Sequence, residues 1–348
     1  INGTMKELAD NIGSKIVSIN GKDAEEFMSS LMTLCGGENI YWFRECAGDV
    51  LRYSSNLNLL DLAVEDNALH LVVEKEGQKK ELILKEVENC NWSIVSFSDL
   101  TQYKMVNYWG KALTADDIYY LQFNHFSDTK SDNSKDEFSN WKSFLVQTFS
   151  TIDSLKLHNL VIDLRNNFGG NSLMGDILIS YWKLPDSLAT FTCDLCISEL
   201  ILKDYDMDLE NIKKILAEEL NRELEDFTLP YVIQDMDNGI KKVSTEEYCN
   251  QQIGSLKENN MLTPLFDGKI INLTGNKTFS SAVMFATMCQ DNGLATIYGT
   301  PTGGKPSCFG DILSFTLPHT AIPCGVSHKY FRRPDYTRDP SDSLYPDV

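Results

Sequence analysis

Apolar positions along this chain fall into two textures, and the change comes near residue 115. Before it, short runs are broken by turn residues. Ile16-Val-Ser-Ile leads into Asn20-Gly21, the pattern of a strand entering a tight turn. Residues 23–34 begin with acidic positions and place Phe27, Leu31 and Leu34 on one face, which predicts a helix from Asp23. Residues 69–84 read as two strands around a glycine-containing turn, a hairpin with His70 in its first strand. Together these segments predict a small β-rich module over residues 13–85.

Beyond residue 115, strand patterns alternate with helical ones, as in an α/β domain. Residues 118–123 predict a strand, and Trp141, Phe144, Leu145 and Phe149 recur at helical spacing within 138–155. Leu160-Val-Ile-Asp-Leu is an unbroken apolar run, expected of a buried parallel strand. Gly169-Gly170 follow, and residues 172–182 predict a helix. The alternation resumes with strands at 269–274, 295–299 and 311–318 and a helix at 280–290. Between the two blocks, residues 193–262 carry an acidic helical stretch at 209–224 and little sheet signal. They predict a helical insertion, either a lid over a site or a solvated decoration. Residues 333–348 predict an irregular tail.

Composition narrows the function classes. A chain of 348 residues suffices for two domains with buried cores. A net charge of −19 argues against nucleic acid and anionic membrane surfaces, which both demand a basic footprint. No apolar run approaches the roughly 20 residues of a membrane span, and no signal peptide is visible. Nine cysteines, odd in number and irregular in spacing, do not form a disulfide framework. Cys193-Asp-Leu-Cys196 has the C-x-x-C shape, but no second pair completes a zinc set, so thiols or one local disulfide are expected.

Three segments carry chemistry. Asp163-Leu-Arg-Asn-Asn-Phe-Gly-Gly170 is a buried strand ending in a glycine turn before a helix. Backbone N–H groups at such a turn are unpaired and able to receive an oxyanion; a phosphate cradle would look similar, although G-x-x-x-x-G-K-[ST] is absent. Thr278-Phe-Ser-Ser-Ala282 sets a hydroxyl at a helix start, which suits a nucleophile and equally suits a simple N-cap. Lys305 ends the glycine-rich stretch Gly299-Thr-Pro-Thr-Gly-Gly-Lys, as a general base or as a surface lysine.

In this order the three segments resemble the C-terminal-processing (tail-specific) peptidases of family S41, with D-L-R-x-N-x-G-G, T-x-S and G-x-x-T-x-G-K at matching places over residues 115–330. The resemblance implies an α/β, crotonase-like catalytic core over 89–348, with the insertion at 193–262, and a PDZ-like domain over 1–88. It implies Ser280 as nucleophile, Lys305 as base 25 residues later, and the N–H groups of Gly170 and Ser281 as the oxyanion hole, with Asp163 and Arg165 fixing the turn. It implies a polypeptide substrate, no metal or cofactor, and a place in the cell envelope or outside the cell. Two positions depart from the family pattern: Val283 stands where a Glu is usual and Phe309 where a Gln is usual. A distant branch of the family uses a His base, for which His125 is the candidate; His319 and His328 have weaker claims. The rivals to a peptidase are a non-catalytic peptide- or ligand-binding relative and an acyl-CoA enzyme on the same core, for which no adenine pocket is signalled.

Overall fold

In the computed structural model the described residues are 10–51, 53–60, 68–85, 104–128, 137–219, 223–224, 227–234, 240–249 and 265–348. The chain divides into two compact units, Ile1–Met105 and Val106–Val348. The boundary expected at 88/89 lies outside the described residues.

The first unit contains β1 (Lys15–Ile19), β2 (Lys22–Asp23), α1 (Ala24–Leu31), α2 (Ile40–Val50), α3 (Ser54–Leu59), β3 (Ala68–Lys75) and β4 (Gln78–Lys85). Its strands form an antiparallel sheet in the order β2-β1-β3-β4. Asn20 and Gly21 both take positive φ, which closes the β1–β2 turn. Asp23 caps α1 by accepting from Glu25 N at 2.8 Å, and the helix buries Phe27 and Leu31 against Ile19, Leu69, Leu71 and Leu82. The helix α2 has no counterpart in the sequence expectations. Its buried stripe is only Phe43 and Ala47, too sparse to mark a period, and its start is set by Asn39 accepting from Trp42 N.

The second unit begins with β5 (Tyr108–Leu113) and β6 (Ile118–Phe123), then α4 (Ser139–Leu155), β7 (Asn159–Asp163) and α5 (Leu173–Ile179). Next come β8 (Ser187–Ala189), β9 (Thr192–Ile197), α6 (Glu199–Asp204), α7 (Leu209–Glu219), β10 (Tyr231–Ile233) and β11 (Lys242–Ser244). β12 (Lys269–Thr274), α8 (Ser281–Asp291), β13 (Thr296–Gly299), β14 (Cys308–Thr316) and β15 (Pro323–Arg332) complete it. A five-stranded sheet runs β13-β12-β7-β6-β5, parallel except for β5 at its edge. Leu160 and Ile162 of β7 are fully buried, as an unbroken apolar strand covered on both faces requires. Trp141, Leu145 and Phe149 of α4 pack with Ile177 and Leu178 of α5 and Ala282 and Ala286 of α8 in one core.

The insertion is less helical than the sequence suggests. β9 lies between β10 and β15 in a four-stranded antiparallel sheet, and β11 pairs with β8. These strands are short and find their partners far along the chain, so no local hairpin signal announces them. Cys193 and Cys196 both lie on β9 and neither is in a disulfide, so the C-x-x-C holds no local disulfide. The tail after β15 is irregular, as expected, but anchored: Ser343 and Leu344 are buried, and Asp347 both donates to Ile297 O and accepts from Ile297 N.

Candidate active site

All the segments singled out from the sequence leave the carboxyl ends of adjacent parallel strands, where α/β sheets place their clefts. His125 and Phe126 follow β6, Arg165 to Gly170 follow β7, Gly275 to Ser280 follow β12, and Thr300 to Lys305 follow β13.

The turn after β7 is tied down from both sides. Asp163 receives a bidentate pair from Arg165 (Nε 2.9 Å, Nη2 2.6 Å) and a third bond from the Tyr120 hydroxyl at 2.6 Å. The carboxylate raises the Arg165 pKa above its ordinary value; burial and the same carboxylate hold the Tyr120 phenol well above its own. Asn167 is fully buried; its amide donates to Phe123 O at 2.7 Å and its carbonyl accepts from Gly169 N at 2.8 Å. Phe126 then pairs with the turn like a short strand, donating to Gly169 O and accepting from Asn171 N. Gly169 and Gly170 take φ of +101° and +134°, open to glycine and costly for other residues.

This turn lies on the Ser280 segment. A Cβ on Gly169 would stand 2.7 Å from Ser280 Cβ and 2.9 Å from Ser281 N, so only glycine permits the approach. Phe279 N donates to Asn167 O at 3.0 Å, and Ser281 Oγ donates to Gly170 O at 2.5 Å. Thr278 is buried and bridges the two strands, donating to Leu164 O and accepting from Gly275 N. Ser280 itself sits at φ +50°, ψ −127°, a strained conformation for a residue with a side chain, at the start of α8. Its hydroxyl makes no capping bond and its side chain is exposed, so it does not act as an N-cap. The N–H groups of Gly170 and Ser281 have no hydrogen-bond partner among the described residues.

The glycine-rich loop closes the other side. Gly304 N donates to Thr278 O at 3.1 Å, and a Cβ on Gly304 would meet Val283 Cγ1 at 2.8 Å and Ser280 N at 3.2 Å. Lys305, the next residue, is half-buried and has neither an ion pair nor a hydrogen bond among the described residues. The departing positions are clear of it in character: Val283 is fully buried in the core, while Phe309 is 66% exposed and leans on the Tyr330 ring.

His125 is exposed beside Phe126, hence one residue from the strand-like pairing with the glycine turn. His319 is exposed in the β14–β15 connection, and His328 is buried with its ring against Asp311 O, a structural place. Residues missed by sequence reading are Asn167 and Gly304, which hold the segments together. Their signal lay inside the quoted motifs, but as backbone-bonding roles that no side-chain pattern displays. Among the described residues no group of His, Cys, Asp and Glu side chains could hold a metal ion, and no helix is long and apolar enough to cross a membrane.

Comparison with solved structures gives mature CPAF at 16% identity, covering 96% of this chain and 71% of that one, with a TM-score of 0.52. At that identity the likeness speaks for the fold alone. The photosystem II D1 C-terminal processing protease gives 13% identity over 98% of this chain and 64% of that one; its TM-score of 0.40 is too low to weigh further. No curated protein sequence matches. The model of peptidase family S41 matches residues 117–312, which hold the turn after β7, the Ser280 segment and the Lys305 loop, and by that match the chain belongs to peptidase family S41.

Proposed function

We propose that this chain is a serine peptidase that hydrolyses peptide bonds in extended polypeptides through an acyl-enzyme on Ser280, with Lys305 as base. The observation that carries this reading is Ser280 itself: a strained, uncapped, exposed residue against the glycine turn, where the N–H groups of Gly170 and Ser281 have no partner among the described residues. An N-cap serine needs none of that strain. Ser280 Oγ attacks the carbonyl carbon while its proton passes to the amine of Lys305, and the new oxyanion is held by Gly170 N and Ser281 N. Collapse breaks the C–N bond as Lys305 returns the proton to the leaving amine. Water, deprotonated by the same lysine, then releases the acid and restores the serine. In this reading the core of the second unit is crotonase-like and the first unit PDZ-like, and the protein works in the cell envelope or outside the cell.

A second base reading rests on His125, which the pairing of Phe126 with the glycine turn brings to the same strand ends. Alanine at Ser280, Lys305 and His125, assayed singly on unstructured peptides, separates the cases. Loss in Ser280→Ala and Lys305→Ala with activity kept in His125→Ala supports the dyad; loss in His125→Ala with activity kept in Lys305→Ala moves the base to the histidine. A chain that binds such peptides, cleaves none and takes no label from a serine-directed fluorophosphonate is the non-catalytic relative instead.

A further inference from the structure

One cavity lies beside the segments of the proposed oxyanion hole and has a carboxyl at its wall. It holds about 250 Å³, the scale of a single side chain, and runs between α5 and α8 under β9 and β15. Ser172 and Ser281 line it at the starts of the two helices, so that end of it lies two residues along the chain from Gly170 and one from Ser280. Farther along, Ile179, Met284, Phe285 and Met288 make it apolar. One turn into α5, Asp176 faces the space.

Asp176 is half-buried, and its Oδ1 accepts from the Tyr248 hydroxyl at 2.5 Å. Its second oxygen has no hydrogen-bond partner, and no Lys, Arg or His pairs with the carboxyl among the described residues. An apolar side chain filling this cavity would seal a half-satisfied carboxyl away from water, which is unfavourable. A long aliphatic stem ending in a cation covers the apolar wall and gives the carboxyl both a charge and a donor.

We propose that this cavity selects a lysine or arginine side chain next to the scissile bond, its cation pairing with Asp176. The proposal names the substrate class of the site and rests on the peptidase reading only for the bond's being cut. Burial raises the proton affinity of Asp176 in the empty cavity, so an entering cation also favours its ionised form.

The test is made on binding, so that it survives a failure of catalysis. Fluorescent unstructured peptides carrying one arginine, or citrulline in its place, are titrated into full-chain Ser280→Ala at 150 mM salt. Citrulline keeps the shape and removes the charge. The arginine peptide is expected to bind ~10-fold or more tightly, the scale of a charge-assisted pair in a buried site. Adding Asp176→Asn should bring the two peptides within about 2-fold. Adding Tyr248→Phe, which frees the carboxyl without removing it, should preserve the preference even if Asp176→Asn unfolds the chain. Equal affinities in Ser280→Ala, no binding of either peptide, or a preference that survives Asp176→Asn in a folded chain would each overturn the proposal. Arginine preference in Ser280→Ala together with an inactive parent chain would support the cavity's role while overturning the peptidase reading.

Discussion

Replacing Gly304 by alanine tests the placement of the Lys305 loop with one methyl group. The added Cβ would lie 2.8 Å from Val283 Cγ1, 3.2 Å from Phe279 Cα and 3.2 Å from Ser280 N. Carbon atoms settle at about 3.5–4.0 Å, so the contact with Val283 is short by ~1 Å. Val283 cannot yield, because it is fully buried in the first turn of α8 and its branched side chain has one favoured rotamer there. The loop must therefore move, at the ~1–3 kcal/mol typical of overpacking. For a unit of this size that is about 2–4 °C in melting temperature for each kcal/mol. A shift of ~1 Å in Lys305 would cost about 100-fold in turnover. Thermal unfolding and kcat on an unstructured peptide read the two effects separately. An unchanged melting temperature would refute the packing argument; a lowered one with full turnover would show that the loop's position does not govern the chemistry.

The other expectations concern stability. Asp291 has no exposed side-chain surface and binds Arg333 through two bonds, Arg338 and Asp335 N, so Asp291→Ala should cost ~3–5 kcal/mol in urea unfolding because Arg333 is left as a buried, uncompensated charge. Gly48 lies inside α2 with no atom within 4 Å of an added Cβ, so Gly48→Ala should stabilise the first unit by about 0.5–1 kcal/mol in the same assay. Burial pushes the Cys289 thiol up to about 12 from 9.0, so between those values the folded chain keeps a proton that the unfolded chain has lost. Stability should be insensitive to this group below pH 9 and fall as pH rises above it, and Cys289→Ala should flatten that alkaline slope in unfolding measured from pH 8 to 11.

The central strand of the parallel sheet was legible because it begins as a continuous apolar run that needs no partner to be recognised, as Leu160 to Ile162 show. The hairpin of β3 and β4 was legible for the opposite reason, since its partner is adjacent. What escaped notice were elements whose reason for existing lies elsewhere in the chain. β9 has a mixed sequence, Thr192 to Ile197, and becomes a strand because β10 and β15 pair with it from more than 30 and more than 130 residues away. β5 pairs antiparallel with β6, yet Tyr-Trp-Gly-Lys-Ala-Leu shows no alternation, because every residue but the exposed Lys111 is half-buried. At the site, the residue types of the motifs were visible, but the strain at Ser280 was not. The sequence of a helix start reads as an N-cap, and only the backbone angle shows that the hydroxyl is turned away from that task.

The two family departures, Val283 and Phe309, raise the question of what sets the position of Lys305, and the answer lies in the backbone. Val283 offers no polar atom, and Phe309 points largely to solvent. The loop is instead fastened on both sides of the lysine. Ahead of it, Gly304 N is bonded to Thr278 O, and Thr302 is fully buried with its hydroxyl donating to Gly304 O at 2.7 Å and accepting from Leu344 N at 3.0 Å. Ser343 donates to Thr302 O, and Thr302 N to Leu344 O, so residues 343–344 clamp the loop as a strand would. Beyond the lysine, Ser307 is buried, donates to Asp339 and accepts from Arg333 N. A side chain held by an orienting carboxylate or amide depends on that one partner. A backbone fixed at residues 302, 304 and 307 sets where the Lys305 side chain originates, with no polar atom needed from Val283 or Phe309.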